Sequence, residues 1–249
     1  MADEDLRHRR ASAFQATGTE YHRLRPGYPD AAVDWALPAG ASVVLDLGAG
    51  TGRLTDSLVA RGLEVIAVDS SASMLDVLRE RHPGVRALDG TAEAIPLPDA
   101  SVDAIVVGQA WHWMDAEATS AEAARVLRPG GTLAMLWNQR VLSGGWEAEF
   151  HAVQYPGASD PDTKLGLELI TDDSLPRQPF GPKEVFTTTW SRTVTPADHR
   201  LLYTTHSPFL VADADAQARR LARWDELLAE LDADAVTQTY RTEAWRFRR

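Results

Sequence analysis

Asp46-Leu47-Gly48-Ala49-Gly50-Thr51-Gly52 is a glycine-rich loop that directly follows an apolar run, Val43 to Leu47. Glycines at such a place let the chain turn tightly and let a ligand approach the backbone with no Cβ in the way. A helix that starts behind the loop offers unpaired N–H groups. Asp69 lies 21 residues beyond Gly48, at the end of a second apolar run. A carboxylate there can accept hydrogen bonds from both hydroxyls of a ribose. The glycine spacing narrows the ligand further. Dinucleotide sites usually read G-x-G-x-x-G, the third glycine letting helix and strand close around a pyrophosphate. Here the third glycine comes one residue early, and Asp46 stands two residues before the first. A carboxylate at that point suits a cationic ligand and repels a pyrophosphate. A strand–helix turn that holds no ligand is the alternative, and Asp69 in register argues against it.

Histidine as a residue type suits proton transfer near neutral pH, and His112 is one such residue. It sits between Trp111 and Trp113, one expected to line a pocket and the other to pack. A packing or substrate-contact role is the alternative for His112. Trp190, His199, Tyr203 and His206 read as structural. His199 and His206 are seven residues apart with no third ligand nearby, so no metal site is expected. Ser57 and Ser143 lack the strand–elbow–helix setting of a hydrolase nucleophile. The chain has no cysteine, which excludes disulfides, thiolate metal sites and a thiol nucleophile.

The elements that must position these residues follow from hydrophobic periodicity. Residues 43–47 and 64–69 read as buried strands. The helix between them has Leu54, Leu58 and Val59 on its inner face. Ser70 or Ser71 can cap a second helix, which buries Met74, Leu75 and Leu78 and stops before Pro83. A short strand near 85–88, a strand at 102–107, a helix at 116–127, a turn at 128–131 and a strand at 132–137 complete the run. Strands alternating with helices imply βαβ units and a parallel sheet. After residue 138 the pattern changes. Trp146, Phe150 and Val153 suggest a helix, and 155–182 reads as a long irregular connection. Residues 185–194 have strand character, Leu221, Trp224, Leu228 and Leu231 fall at helical spacing, and 236–247 reads as a last strand.

The chain has 249 residues, 44% of them hydrophobic, enough for a substantial core. Its formal net charge of −11 disfavours nucleic acid and anionic membrane as partners, since like charges raise the cost of approach. Arg7, Arg9 and Arg10 near one end and Arg246, Arg248 and Arg249 at the other read as solvated, frayed termini. No apolar run reaches the roughly 20 residues of a membrane span. No signal peptide is read at residues 1–15, and a cytoplasmic location is the expectation.

The motifs carry a resemblance. Val44 to Gly52, with Val68-Asp69-Ser70-Ser71, resembles the first two motifs of class I S-adenosylmethionine-dependent methyltransferases. Gly90 to Pro98 is similar to their adenine-binding loop, and Asp103 to Gly108 with Gln109 to Trp113 to their fourth strand and the motif facing the methyl donor. Leu127 to Gly131 resembles the turn before the fifth strand, and Tyr21 to Pro29 an N-terminal cap of the small-molecule branch, near trans-aconitate methyltransferase-like proteins. The resemblance covers roughly residues 14–140 well and the remainder loosely. It implies an α/β fold: a doubly wound, seven-stranded, mostly parallel Rossmann-like sheet, the last strand antiparallel and inserted between the fifth and sixth. It also implies an N-terminal cap (1–34), a cofactor-binding core (35–140), and a substrate cover with the last two strands (141–249).

By the same resemblance the backbone of Gly48, Ala49, Gly50 and Gly52 holds the methionine moiety, and Asp69 the ribose. Ser70 and Met74 flank the adenine; Thr91, Ala92 and Glu93 line its edge, Thr91 standing where many relatives carry Asp. Gln109 lies near the methionine end, closed over by Tyr21 and by Arg25, whose forked donors suit a carboxylate. Trp111, His112 and Trp113 face the acceptor. The expected activity is methyl transfer from S-adenosylmethionine to a small molecule at a carboxylate or hydroxyl oxygen, by in-line displacement. The alternatives are a catalytically inactive cofactor-binding regulator or scaffold and, less favoured by the early third glycine, a dinucleotide oxidoreductase. The acceptor and the oligomeric state are not legible.

Overall fold

The structure is a computed structural model that describes residues 18–155, 171 and 174–249. Arg7, Arg9, Arg10 and most of the connection expected at 155–182 lie outside the described residues. Seven strands form one sheet: β1 (Val43–Leu47), β2 (Glu64–Asp69), β3 (Arg86–Asp89), β4 (Val102–Gly108), β5 (Leu127–Val141), β6 (Glu184–Val194) and β7 (Val236–Arg248). Their order is β3-β2-β1-β4-β5-β7-β6, so β7 is inserted between β5 and β6 as expected. The pairs β3/β2, β2/β1, β1/β4 and β4/β5 are all parallel. β7 runs antiparallel to both neighbours. Side-chain partners show its direction. Asn138, Gln139 and Arg140 on β5 pair with Thr242, Arg241 and Thr239, and Glu184 and Arg192 on β6 pair with Arg246 and Gln238.

Helices α1 (Gly18–Leu24) and α2 (Asp30–Ala36) precede the sheet; α3 (Arg53–Val59), α4 (Ala72–Arg81) and α5 (Ala116–Val126) connect its parallel strands. α6 (Trp146–Gln154), α7 (Pro196–Thr204), α8 (Ser207–Leu210) and α9 (Ala214–Leu231) belong to the second half. Polar caps start several of them. Asp115, Thr195 and Asp213 each accept a hydrogen bond from the backbone N–H three residues on.

Two compact units emerge. The larger gathers 26–139, the described part of 164–188, and 241–249. In it β1, β2, β4 and β5 are buried on both faces, as the inner strands of a parallel sheet require. Leu45, Leu47, Ile66, Val68, Ile105, Val107, Leu133 and Met135 pack on one side. Val44, Ala104, Val106, Ala134 and Leu136 pack on the other with α2 and α3. The smaller unit gathers 18–25, 140–155 and 189–240 among the described residues. Its core is Phe150, Tyr203, Phe209, Trp224 and Leu227. The Phe150 and Trp224 rings stack at 5.5 Å, and the Trp224 indole N–H donates to the Phe150 carbonyl at 3.0 Å.

Four local expectations change. Val59 faces outward, because α3 is so short that Leu54, Thr55 and Leu58 fill its buried stripe. Neither Ser70 nor Ser71 caps α4 with its side chain; the Ser71 N–H is taken up by Asp69. Residues 128–131 are not a separate turn. They lie within β5, where the register slips between Val102 and Ala104 and the extra residues bulge. The C-terminal arginines are not frayed. Arg246 and Arg248 share Glu184, Arg246 also covers the Trp35 ring at 4.4 Å, and the Arg249 N–H bonds to the Gly131 carbonyl at 3.0 Å.

Candidate functional site

The glycine loop closes at the carboxyl ends of β1 and β2, where parallel sheets present ligand sites. The N–H groups of Gly48 and Ala49 both donate to the Val68 carbonyl, at 2.8 and 3.1 Å, which fixes the loop against β2. Gly48 has φ +72°, and a Cβ there would lie 2.7 Å from the Ala110 methyl. Only glycine lets the segment after β4 approach this loop so closely. The S of Met74 faces Gly50 from α4, 3.5 Å from where a Cβ would stand.

Asp69 is half-buried at the end of β2. Its Oδ2 accepts from the Gly50 N–H at 2.8 Å and its Oδ1 from the Ser71 N–H at 2.8 Å. One carboxylate therefore joins the glycine loop to the start of α4. The Ser70 N–H also bonds to this carboxylate, and the lone pairs that remain can accept from ribose hydroxyls. Burial raises its pKa, and the backbone N–H bonds counter the rise.

Asp46 is fully buried behind the loop. Its Oδ2 accepts from the Thr55 hydroxyl at 2.6 Å, while its Oδ1 has no hydrogen-bond partner. Burial pushes its pKa up to about 7, the Thr55 bond countering and nearby Asp69 adding to the shift. A carboxyl held so poorly in its charged form is stabilised by a nearby cation. The acidic pair Asp46 and Asp69, with no basic side chain hydrogen-bonded to either among the described residues, therefore fits a cationic nucleoside cofactor such as S-adenosylmethionine.

The loop after β3 is clamped by α5. Glu122 Oε2 accepts from the Ile95 N–H at 2.8 Å. Arg125 donates to the carbonyls of Ile95 and Leu97 at 2.9 and 2.7 Å, and to Asp99 and Glu122. Ala92 is buried and Thr91 exposed. The exposed side chain of Glu93 accepts from the Asp115 N–H at 2.9 Å, tying this loop to the cap of α5. Neither Glu122 nor Arg125 stands out in the sequence as a site residue; an E-x-x-R helical pair is the faint signal.

β4 ends at Gly108, and Gln109 follows it. Gln109 has φ +59°, a left-handed conformation rare for a side-chain-bearing residue. Its Nε2 donates to the Asn138 carbonyl at 3.0 Å. A short 3₁₀ turn follows at Trp111–Trp113. Of the two tryptophans, Trp111 is the one that packs: it is buried in the core and its indole N–H donates to the Ser174 carbonyl at 2.7 Å. Trp113 is 41% exposed. His112 is half-buried with its ring 4.6 Å from that of Trp113.

Tyr21 and Arg25 belong to the smaller unit. There the Arg25 guanidinium lies 4.8 Å over the Tyr21 ring, and its Nη2 donates to the Thr205 carbonyl at 2.9 Å. His199 and Tyr203 are fully buried in the same unit. Burial holds His199 down to about 3 and His151 to about 4, and lowers His206 as well. These imidazoles are neutral interior groups at physiological pH. Sequence reading gave no site role to Asn138, which lies in no run with chemical spacing, or to Tyr28, which falls within the Tyr21–Pro29 motif.

Residues 45–135 match the family model described as a methyltransferase domain. An uncharacterized methyltransferase of Mycobacterium tuberculosis is 43% identical over 217 residues, 87% of this chain and 86% of that protein. A malonyl-[acyl-carrier protein] O-methyltransferase of Methylococcus capsulatus is 44% identical over 97 residues, 36% of this chain and 35% of that one. Among solved structures, one described as a type II methyltransferase, from Anaeromyxobacter dehalogenans, aligns with a TM-score of 0.70 at 26% identity. That alignment covers 89% of this chain and 97% of the other.

Proposed function

Because this chain belongs to the class I S-adenosylmethionine-dependent methyltransferases, we propose that it methylates a small-molecule acceptor at oxygen, on a carboxylate or a hydroxyl. The observation that carries the reading is the contact of Ala110 with Gly48. It brings the segment that leads into His112 and the exposed Trp113 ring up to the glycine loop. The net charge of −11 disfavours nucleic acid as the acceptor. Methylation at oxygen draws support from the Methylococcus relative, whose name specifies an O-methyltransferase.

S-adenosylmethionine supplies a methyl group already activated on a sulfonium. The chain's own task is to align and to exclude water. The Asp69 carboxylate holds the ribose hydroxyls through its free lone pairs, and Asp46 favours the cationic end. Met74 and Ser70 flank the adenine, with Thr91, Ala92 and Glu93 along its edge. Gln109 faces the methionine end. Trp113 offers a flat apolar face to the acceptor. His112 accepts the proton of a hydroxyl acceptor; a carboxylate acceptor has no proton to lose.

Transfer of radiolabelled methyl from S-adenosylmethionine to a panel of carboxylic acids, phenols and amines tests the reading. Label in an acid or a phenol is the expected result. Label only in amines would overturn methylation at oxygen. Binding of the cofactor without transfer to any acceptor would favour the second reading, an inactive regulator or scaffold. For a phenol, His112→Phe lowers kcat by about 10²–10⁴-fold; for a carboxylate it leaves kcat nearly unchanged.

A further inference from the structure

Asn138 is a polar residue near the carboxyl end of β5, directly after an apolar run. Leu133 to Trp137 before it are all fully buried. Asn138 is 9% exposed, yet its hydrogen bonds reach three separate stretches of the larger unit. Its Nδ2 donates to the Gly27 carbonyl at 2.8 Å. Its Oδ1 accepts from the Thr242 hydroxyl on β7 at 2.6 Å. Its backbone carbonyl accepts from Gln109 Nε2 at 3.0 Å. A carbonyl can only accept, so the Gly27 partner fixes which way the amide points.

Both ends of this connection matter to the site. Gln109 keeps its left-handed backbone because its own N–H bonds to the Leu136 carbonyl at 3.0 Å and its side chain is tied to Asn138. At the other end, Gly27 precedes Tyr28, whose hydroxyl lies against Gly108. A Cβ on Gly108 would stand 2.5 Å from that oxygen. Gly27 is also close to Arg53 at the start of α3, whose Nη2 would lie 3.3 Å from a Cβ. Residues 26–28 are thus stitched across the carboxyl ends of β4 and β5, beside the residue at which β4 ends.

We propose that Asn138 is a positioning residue for the cofactor site. It locks residues 26–28 and the strained Gln109 in the binding geometry before the cofactor arrives, so binding does not have to order them. This inference rests on the cofactor site proposed above.

Calorimetric binding of S-adenosylhomocysteine, with hydrogen exchange at the amides of 27, 28 and 109, tests it. Asn138→Asp keeps the Thr242 bond but sets a carboxylate against the Gly27 carbonyl. It is expected to weaken binding about tenfold and to speed exchange at those amides. Thr242→Val is expected to weaken binding several-fold, while Thr242→Ser, which keeps the hydroxyl, restores it. Thr132→Val controls for loss of a buried hydroxyl elsewhere in the same unit, since the Thr132 hydroxyl bonds to the Ala36 carbonyl; it leaves affinity unchanged. Wild-type affinity in folded Asn138→Asp, or equal weakening by Thr132→Val, overturns the inference alone. A wild-type protein that does not bind S-adenosylhomocysteine overturns the cofactor reading and this inference with it.

Discussion

The Thr55 hydroxyl bonds to one oxygen of Asp46 at 2.6 Å and leaves the other oxygen buried without a partner. The hydroxyl and backbone N–H of Thr55 do not offset full desolvation, so the carboxyl keeps its proton up to about pH 7, against 3.8 in the unfolded chain. Between those values the native state binds more protons than the unfolded state, so the contribution of this group to stability falls as pH rises. The loss approaches about 4 kcal/mol above pH 7. Asp46→Asn removes the slope and, without cofactor, melts higher than wild type at pH 8. Melting curves against pH check this. Affinity for the cationic cofactor rises as pH passes about 7 in wild type and not in Asp46→Asn.

Asp69→Ala removes the proposed ribose acceptor together with the anchors of the Gly50 and Ser71 N–H groups. Charged hydrogen bonds contribute about 1.5–3 kcal/mol each. Affinity for S-adenosylhomocysteine therefore falls by at least about 100-fold. Calorimetric titration reads it, and unchanged affinity would sink the proposed cofactor site.

Gly48→Ala drives a methyl into Ala110 and forces an L-residue to φ +72°. The segment after β4 must move away, and methyl transfer drops by more than tenfold. Adding Ala110→Gly relieves the collision but not the backbone strain, so the double variant recovers only part of the rate. Steady-state kinetics on all three proteins decides this.

Arg125→Ala frees the carbonyls of Ile95 and Leu97 and leaves Glu122 without its cation. The side chain is about one-third exposed, so the stability loss is about 1–2 kcal/mol. The sharper effect falls on the loop after β3: KM for S-adenosylmethionine rises several-fold while kcat holds. Arg125→Lys rescues it in part, since one ammonium cannot span both carbonyls.

In the smaller unit, Arg140 and Glu147 form a nearly buried ion pair, and Glu147 also accepts from the Ser143 N–H and hydroxyl. Glu147→Leu strands the guanidinium and costs about 3–5 kcal/mol. The double variant Arg140→Met, Glu147→Leu is markedly less destabilised, since no buried charge remains unpaired. Denaturant unfolding of the three proteins measures the difference.

Local sequence carried much of the fold. Val43 to Leu47 and Val102 to Val107 read as buried strands because a parallel sheet covered on both faces demands unbroken apolar runs. The glycine loop and Asp69 were legible for a related reason: they sit at strand ends, where one turn of chain sets their geometry. Val59 was misread because periodicity gives a helix face but not its width. Arg246 to Arg249 were misread as a tail because their partners, Glu184, Trp35 and Gly131, are remote in sequence.

The sequence by itself pointed to the donor: the glycine spacing and Asp46 suit a cationic ligand, and the resemblance of residues 90–98 and 109–113 supplied most of the specificity. Only the tertiary structure decided how that site is held. Asn138 lies 111 residues from Gly27 and 29 from Gln109, and Glu122 lies 27 from Ile95. A hydrogen bond over such separations leaves no period or motif in the chain. It exists because parallel strands bring distant carboxyl ends side by side, and that adjacency is a property of the sheet order.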